Sequence, residues 1–179
     1  MRGPILLLTA SVATPMHLFQ KGILEGRSIA IAGGLPDPVK DLLAALGARL
    51  QELSPDLALG DTGEPEWTRH AAPLDALICG EDDSSLTQTW SAVRGVATEV
   101  FIPGKEGRIL LLAPRGDGLI AAALENLART LSVEWARFGI TVTALVPGGR
   151  ATDDQLATLV AFLCSPAGAY YSGCRFDLG

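Results

Sequence analysis

Apolar residues recur along this chain in two rhythms: short dense runs and stripes at helical spacing. Ser28–Ala32 is a dense run that reads as a buried strand, with Gly33-Gly34 as its turn. Val39, Leu42, Leu43 and Leu46 then repeat as on a helix, Gly47 stops it, and residues 48–53 read as a second strand. Leu74–Gly80 is another apolar run. Trp90, Val93, Ala97, Val100 and Phe101 predict a helical face, and Gly107–Pro114 a further strand. The longest periodic stretch opens at Asp117, which suits an N-cap, and closes at Gly139, with Arg137 in a last turn that favours a cation. There Leu119, Ala123, Leu127, Leu131 and Trp135 recur every four residues and predict one apolar stripe, and Glu125 and Arg129 an i,i+4 ion pair on another face. Ile140–Val146 is nearly continuously apolar and ends at Pro147-Gly148-Gly149. Thr152-Asp153-Asp154-Gln155 predicts a capped helix carrying Leu156, Leu159, Val160 and Leu163.

Helices feeding strands covered on both faces predict an α/β protein: a Rossmann-like, doubly wound, mainly parallel sheet in a three-layer α/β/α arrangement. One domain fits residues 24–179, preceded by an arm over residues 1–23. Residues 54–73 are polar and rich in Pro and Gly, with Trp67 their only large anchor, and read as loop and short helix.

Composition narrows the function. Fourteen Lys and Arg against twenty Asp and Glu give a net charge of −6, which argues against nucleic-acid or anionic-membrane binding. Three cysteines (Cys79, Cys164, Cys174) are too few and odd in number for a disulfide framework, so a cytoplasmic location is expected. Arg2 before Ile5-Leu6-Leu7-Leu8 slightly resembles a signal peptide, but the run is short of a span, and Pro15, His17 and Gln20 interrupt the residues after it. With His17 and His70 the only histidines, imidazole chemistry has little to draw on. Glu81, Asp82 and Asp83 have no His or Cys at ligand spacing and read as a solvated loop, not a metal site.

The turn after the first strand bears most directly on function. In Rossmann-type folds it holds a pyrophosphate, because glycines let the backbone approach and a helix N-terminus faces the anion. Here Ala32-Gly33-Gly34-Leu35-Pro36-Asp37-Pro38-Val39 sets a carboxylate at the helix start, and Pro36 and Pro38 remove two N–H donors. A turn without a ligand is expected, with a working dinucleotide site as the alternative.

Three segments, 107–113, 124–148 and 156–179, strongly resemble the short-chain dehydrogenase/reductase family. Gly107-Arg108-Ile109 is similar to its fifth strand, Leu124-Glu125-Asn126-Leu127-Ala128-Arg129-Thr130-Leu131 to its active-site helix, Val146-Pro147-Gly148 to the turn after its sixth strand, and residues 164–179 to its C-terminal helix end, Ser-Gly turn and seventh strand. The resemblance implies a shortened version of that fold. It also carries the family's functional positions onto residues unable to perform their roles. The catalytic Tyr falls on Asp117, the Lys on Ala121 and the Ser on Pro114, and no Asn lies between residues 81 and 106. Of the family's glycine pattern Gly33 remains, while the later two positions fall on Asp37 and Val39. The Asn-Asn-Ala-Gly segment reads Cys79-Gly80-Glu81-Asp82, and Asp61 is the candidate for an adenine contact. Only Arg150-Ala151-Thr152 stand where the family has a substrate-covering loop.

No catalytic residue is therefore assigned. Gly33, Gly34, Gly80, Pro147 and Gly148 are the implied, vestigial cofactor contacts, with no cofactor expected unless that site functions, in which case it would take NAD(P). The leading reading is a structural or regulatory subunit, inactive by itself. It would pair with itself or with an active paralogue of the family through helix 118–137 and the C-terminal strand, with no nucleic acid and no membrane as partner. Two alternatives stand beside it: an NAD(P)-dependent oxidoreductase using Asp117 or Glu125 as acid/base, and a small-ligand module using the crevice near Gly33, Gly80 and Pro147.

Overall fold

The apolar runs at 28–32, 74–80, 107–114 and 140–146 each hold a strand. The computed structural model describes residues 19–53, 73–80 and 86–179. The strands are β1 (Ser28–Ala32), β2 (Arg49–Leu53), β3 (Ala76–Cys79), β4 (Gly107–Leu112), β5 (Ile140–Pro147) and β6 (Arg175–Leu178). They form one sheet in the order β2-β1-β3-β4-β5-β6, with every pair parallel. The helices are α1 (Asp37–Ala45), α2 (Leu86–Val96), α3 (Ile102–Gly104), α4 (Gly118–Glu134) and α5 (Asp153–Cys164). The doubly wound α/β architecture expected from the pattern is the observed one.

The strand alternation divides the core in two. Ile29, Ile31, Ile78, Leu110 and Leu145 pack with α1 and α5 on one face, and Ala30, Leu77, Ile109, Leu111 and Val142 pack with α2 and α4 on the other. Both faces are buried, as a parallel sheet requires, and this is why the strands read as unbroken apolar runs. Phe19 and Ile23, assigned from sequence to the arm, pack partly against the α1–α5 side, and Leu24 is fully buried there. Residues 1–18 of the arm and the loop around Asp61 and Trp67 lie outside the described residues, as do His17, His70 and the acidic run 81–83.

Helix ends follow their signals. Thr152 and Gln155 complete a capping box: the Thr152 hydroxyl accepts from the Gln155 N–H at 3.2 Å, and Gln155 Oε1 accepts from the Thr152 N–H at 3.0 Å. Gly139 takes φ +69°, and a Cβ there would stand 2.7 Å from the Lys105 carbonyl oxygen, so both the turn and the approach need glycine. At the far end of α5, Arg108 reaches from β4 to donate to the carbonyls of Leu163, Cys164 and Ser165, covering the acceptors that a helix C-terminus leaves open.

Three details correct the pattern reading. The buried row of α4 is Ala121, Leu124, Ala128 and Leu131, followed by Trp135, while Leu119 is 79% exposed and Ala123 and Leu127 are half-buried. A strict four-residue step overshoots a helical turn by about 40°, so a row that faces the core at Leu131 and Trp135 has left it at Leu119. Arg137 lies in a 3₁₀ turn (Ala136–Phe138) beyond the helix end. In α2, sheet contact begins at Val93: Trp90 stays 40% exposed, and a π-helical turn over Ala97–Phe101 widens the helix, burying Val96 and turning Val100 half out.

Candidate functional site

The winding direction reverses between β1 and β3, and at such a switch point open α/β sheets bind ligands beyond the carboxyl ends of the strands. Three of the five sequence-predicted glycine and proline contacts stand there. Gly33 follows β1 with φ +87°, Gly34 comes next, and Gly80 follows β3 and donates its N–H to the Ala32 carbonyl at 2.8 Å. Gly80 also lies directly against Gly34: a Cβ there would fall inside the Gly34 carbonyl oxygen. Its smallness thus serves contact between two segments of backbone.

The other two stand at the far side of the sheet. Pro147 is the buried last residue of β5, and the Gly148 N–H donates to the Leu178 carbonyl at 2.6 Å, carrying the β5–β6 ladder one residue further. A Cβ on Gly148 would sit 2.6 Å from that same oxygen. The structure therefore does not gather the five positions at one point: two strands, β3 and β4, separate β1 from β5.

Asp117 stands at the start of α4. Its Oδ1 accepts from the N–H groups of Leu119 at 3.1 Å and Ile120 at 3.0 Å, an N-cap. Ala121 is 2% exposed and packs into the core. Glu125 is engaged by two guanidinium groups, Arg129 Nη2 at 2.7 Å and Arg175 Nη1 at 2.9 Å, and Arg175 also holds Asp177 at 2.7 Å. These pairs tie α4 to β6. Neither carboxylate proposed as an acid/base stands free. Replacing Asp117 with Ala should cost about 1 kcal/mol of stability in a denaturant melt and leave any reductase turnover unchanged. A turnover loss out of proportion to the stability loss would restore Asp117 as a chemical group.

The residue that sequence reasoning missed is Arg115. In the short segment between β4 and α4 it donates through Nη1 to the Ala151 carbonyl at 2.5 Å and through Nη2 to Asp153 Oδ1 at 2.6 Å. It thereby straps the loop after β4 to the loop after β5, across the carboxyl edge of the sheet. Only its place between two shortened loops could have signalled this. Cys79, at the end of β3, is buried, and burial pushes its thiol up to about 12, so it offers no thiolate. Among the described residues no group of three His, Cys, Asp or Glu could hold a metal, and no helix is long and apolar enough to cross a membrane.

Fold, switch point and turn define a Rossmann-type α/β protein. No protein-family model matches the chain. A tropinone reductase homologue of Arabidopsis thaliana is 31% identical over 117 residues, covering 50% of this chain and 45% of the relative. The chain spans less than half the length of the curated relatives it matches. A short-chain dehydrogenase/reductase of Serratia marcescens superposes with a TM-score of 0.64 at 19% identity, covering 87% of this chain and 96% of that one. A protein of Beutenbergia cavernae described as a putative NAD(P)-dependent gluconate 5-dehydrogenase, solved with bound NADP, superposes with a TM-score of 0.69 at 20% identity, covering 88% and 97%. The chain has the fold of these short-chain dehydrogenase/reductase structures, and half of it is similar in sequence to tropinone reductase homologues.

Proposed function

We propose that this chain is a non-catalytic structural or regulatory member of the short-chain dehydrogenase/reductase family that associates with an active oxidoreductase of the same fold. One observation carries the reading. At the two α4 positions onto which the resemblance places the family's Tyr and Lys, Asp117 spends its carboxylate as a helix cap and Ala121 is buried in the core. Without a proton donor beside a carbonyl, and without a cation to lower that donor's pKa, hydride transfer loses its acid/base step.

Surfaces for a partner support the association. Leu119 and Val133 on α4 are both 79% exposed, and Leu86 and Trp90 on α2 are also exposed. β6 is an edge strand, and beside it a groove of about 600 Å³ is lined by Phe19, Leu159, Phe162 and Leu178 together with polar Gln155, Thr158 and Asp177. Apolar surface of this kind, rimmed by polar groups, is what protein interfaces present. The three free cysteines, two of them buried, fit a reducing compartment such as the cytoplasm.

The test is steady-state assay of the purified chain with NADH and NADPH against ketones, aldehydes and the reverse alcohols. The expected result is no turnover above the uncatalysed rate. Turnover that Asp117→Asn or Glu125→Gln abolishes would replace the reading with an oxidoreductase of unusual site.

A further inference from the structure

We infer that the β1–α1 turn of this chain has been rebuilt into a self-satisfied helix start that excludes a dinucleotide. This goes beyond the subunit reading, since a non-catalytic subunit can still hold a nucleotide.

A helix N-terminus binds phosphate because the first N–H groups of the helix have no partner within it. In α1 most of those groups are absent or already bonded. The N-cap, Pro36, has no N–H. Asp37, the first helical residue, keeps one, but its carboxylate stands in the same turn. Pro38, the second, again has none. The third, Val39, donates to the Pro36 carbonyl at 3.0 Å, and Lys40 donates to the same oxygen at 3.3 Å. Of the four N–H groups that open a helix, two are absent, that of Val39 is bonded within the turn, and that of Asp37 is left beside a negative charge.

The approach to the turn is altered as well. Leu35 is 6% exposed and packs with Val39 against the α1–α5 core, which draws the turn onto the body. Gly34 lies backbone to backbone against Gly80. In dinucleotide-binding folds an acidic residue about 20 positions after the first glycine takes a ribose hydroxyl. The carboxylate at that distance is Glu52, near the end of β2, and its Oε1 is held by Lys40 Nζ at 2.7 Å. The candidate ribose acceptor is thus engaged within the chain, and the turn keeps a single donor beside a carboxylate.

The experiment titrates NADH and NADPH separately into the full chain, following cofactor fluorescence, and repeats it with the Asp37→Gly/Pro38→Ala double variant. That variant removes the carboxylate and returns the second helical N–H. Thermal unfolding shows whether it is folded, and Asp37→Asn takes its place if it is not. The unmodified chain should give no saturation up to about 1 mM, and the variant should bind at least about 10-fold tighter, within the measurable range. Saturable binding by the unmodified chain below about 0.1 mM, or a folded variant that binds no tighter, overturns the inference. Neither outcome depends on whether an oxidoreductase partner is found, so failure here and failure of the subunit reading are told apart.

Discussion

Replacing Gly80 with Ala should lower the stability of the fold by about 3 kcal/mol, the upper range for forcing atoms into a packed site. The methyl group would enter the Gly34 carbonyl, and the atoms it meets are backbone, so no flexible side chain can move aside. The Gly80 N–H is also bonded to the Ala32 carbonyl at 2.8 Å, so relieving the clash pulls β3 away from β1 at the centre of the sheet. Gly149→Ala is the control, because nothing lies within 4 Å of a Cβ there. Its change should stay within about 0.5 kcal/mol. Urea unfolding of the two variants beside the unmodified chain makes the comparison. Equal midpoints would mean that the β1 and β3 turns do not touch, and Gly80 would return to the set of ligand-contacting glycines.

Phe101→Ala should be costlier still, about 4 kcal/mol. Phe101 is fully buried at the end of the π-helical turn, and its ring fills the space that a side chain at Gly107 would need. It thus joins the helix leaving β3 to the first residue of β4. Truncation leaves a cavity between elements that are held by their own backbone bonds and collapse only partly. Phe101→Leu keeps most of the volume and should cost under about 1.5 kcal/mol. Folded domains have roughly 5–15 kcal/mol to lose, so the Ala variant should melt at markedly lower urea while the Leu variant stays near the parent. A small Ala effect would place the ring outside the core.

These two positions also mark what the sequence discloses. β1, β4 and β5 were legible because a strand covered on both faces must be apolar at every position, and the Thr152–Gln155 box because capping is a contact between near neighbours. The phase of α4 was not. Leu119 and Leu124 are equally apolar, and the core side is decided by which of them meets the sheet. Arg115 and Arg108 were opaque for a related reason: their partners lie some 36 and 56 residues further along the chain, and nothing local names them. The candidate site was half legible. Pro36, Asp37 and Pro38 predict a poor phosphate turn from residue type alone, and the bonds from Val39 and Lys40 to the Pro36 carbonyl are the structural feature that goes with that expectation. The packing of Gly80 against Gly34 was not legible, because it joins two turns far apart in the sequence.

The proposed role of this chain is to partner an active oxidoreductase of the same fold. Native mass spectrometry of the tagged chain, purified from its own cells, tests this most directly. The account predicts a complex of defined stoichiometry with a full-length short-chain dehydrogenase/reductase that carries the family's Tyr and Lys. Its assembly should be weakened when Leu119 or Val133, both 79% exposed on α4, is replaced by Glu. A monomer or homo-oligomer carrying bound nucleotide would contradict it.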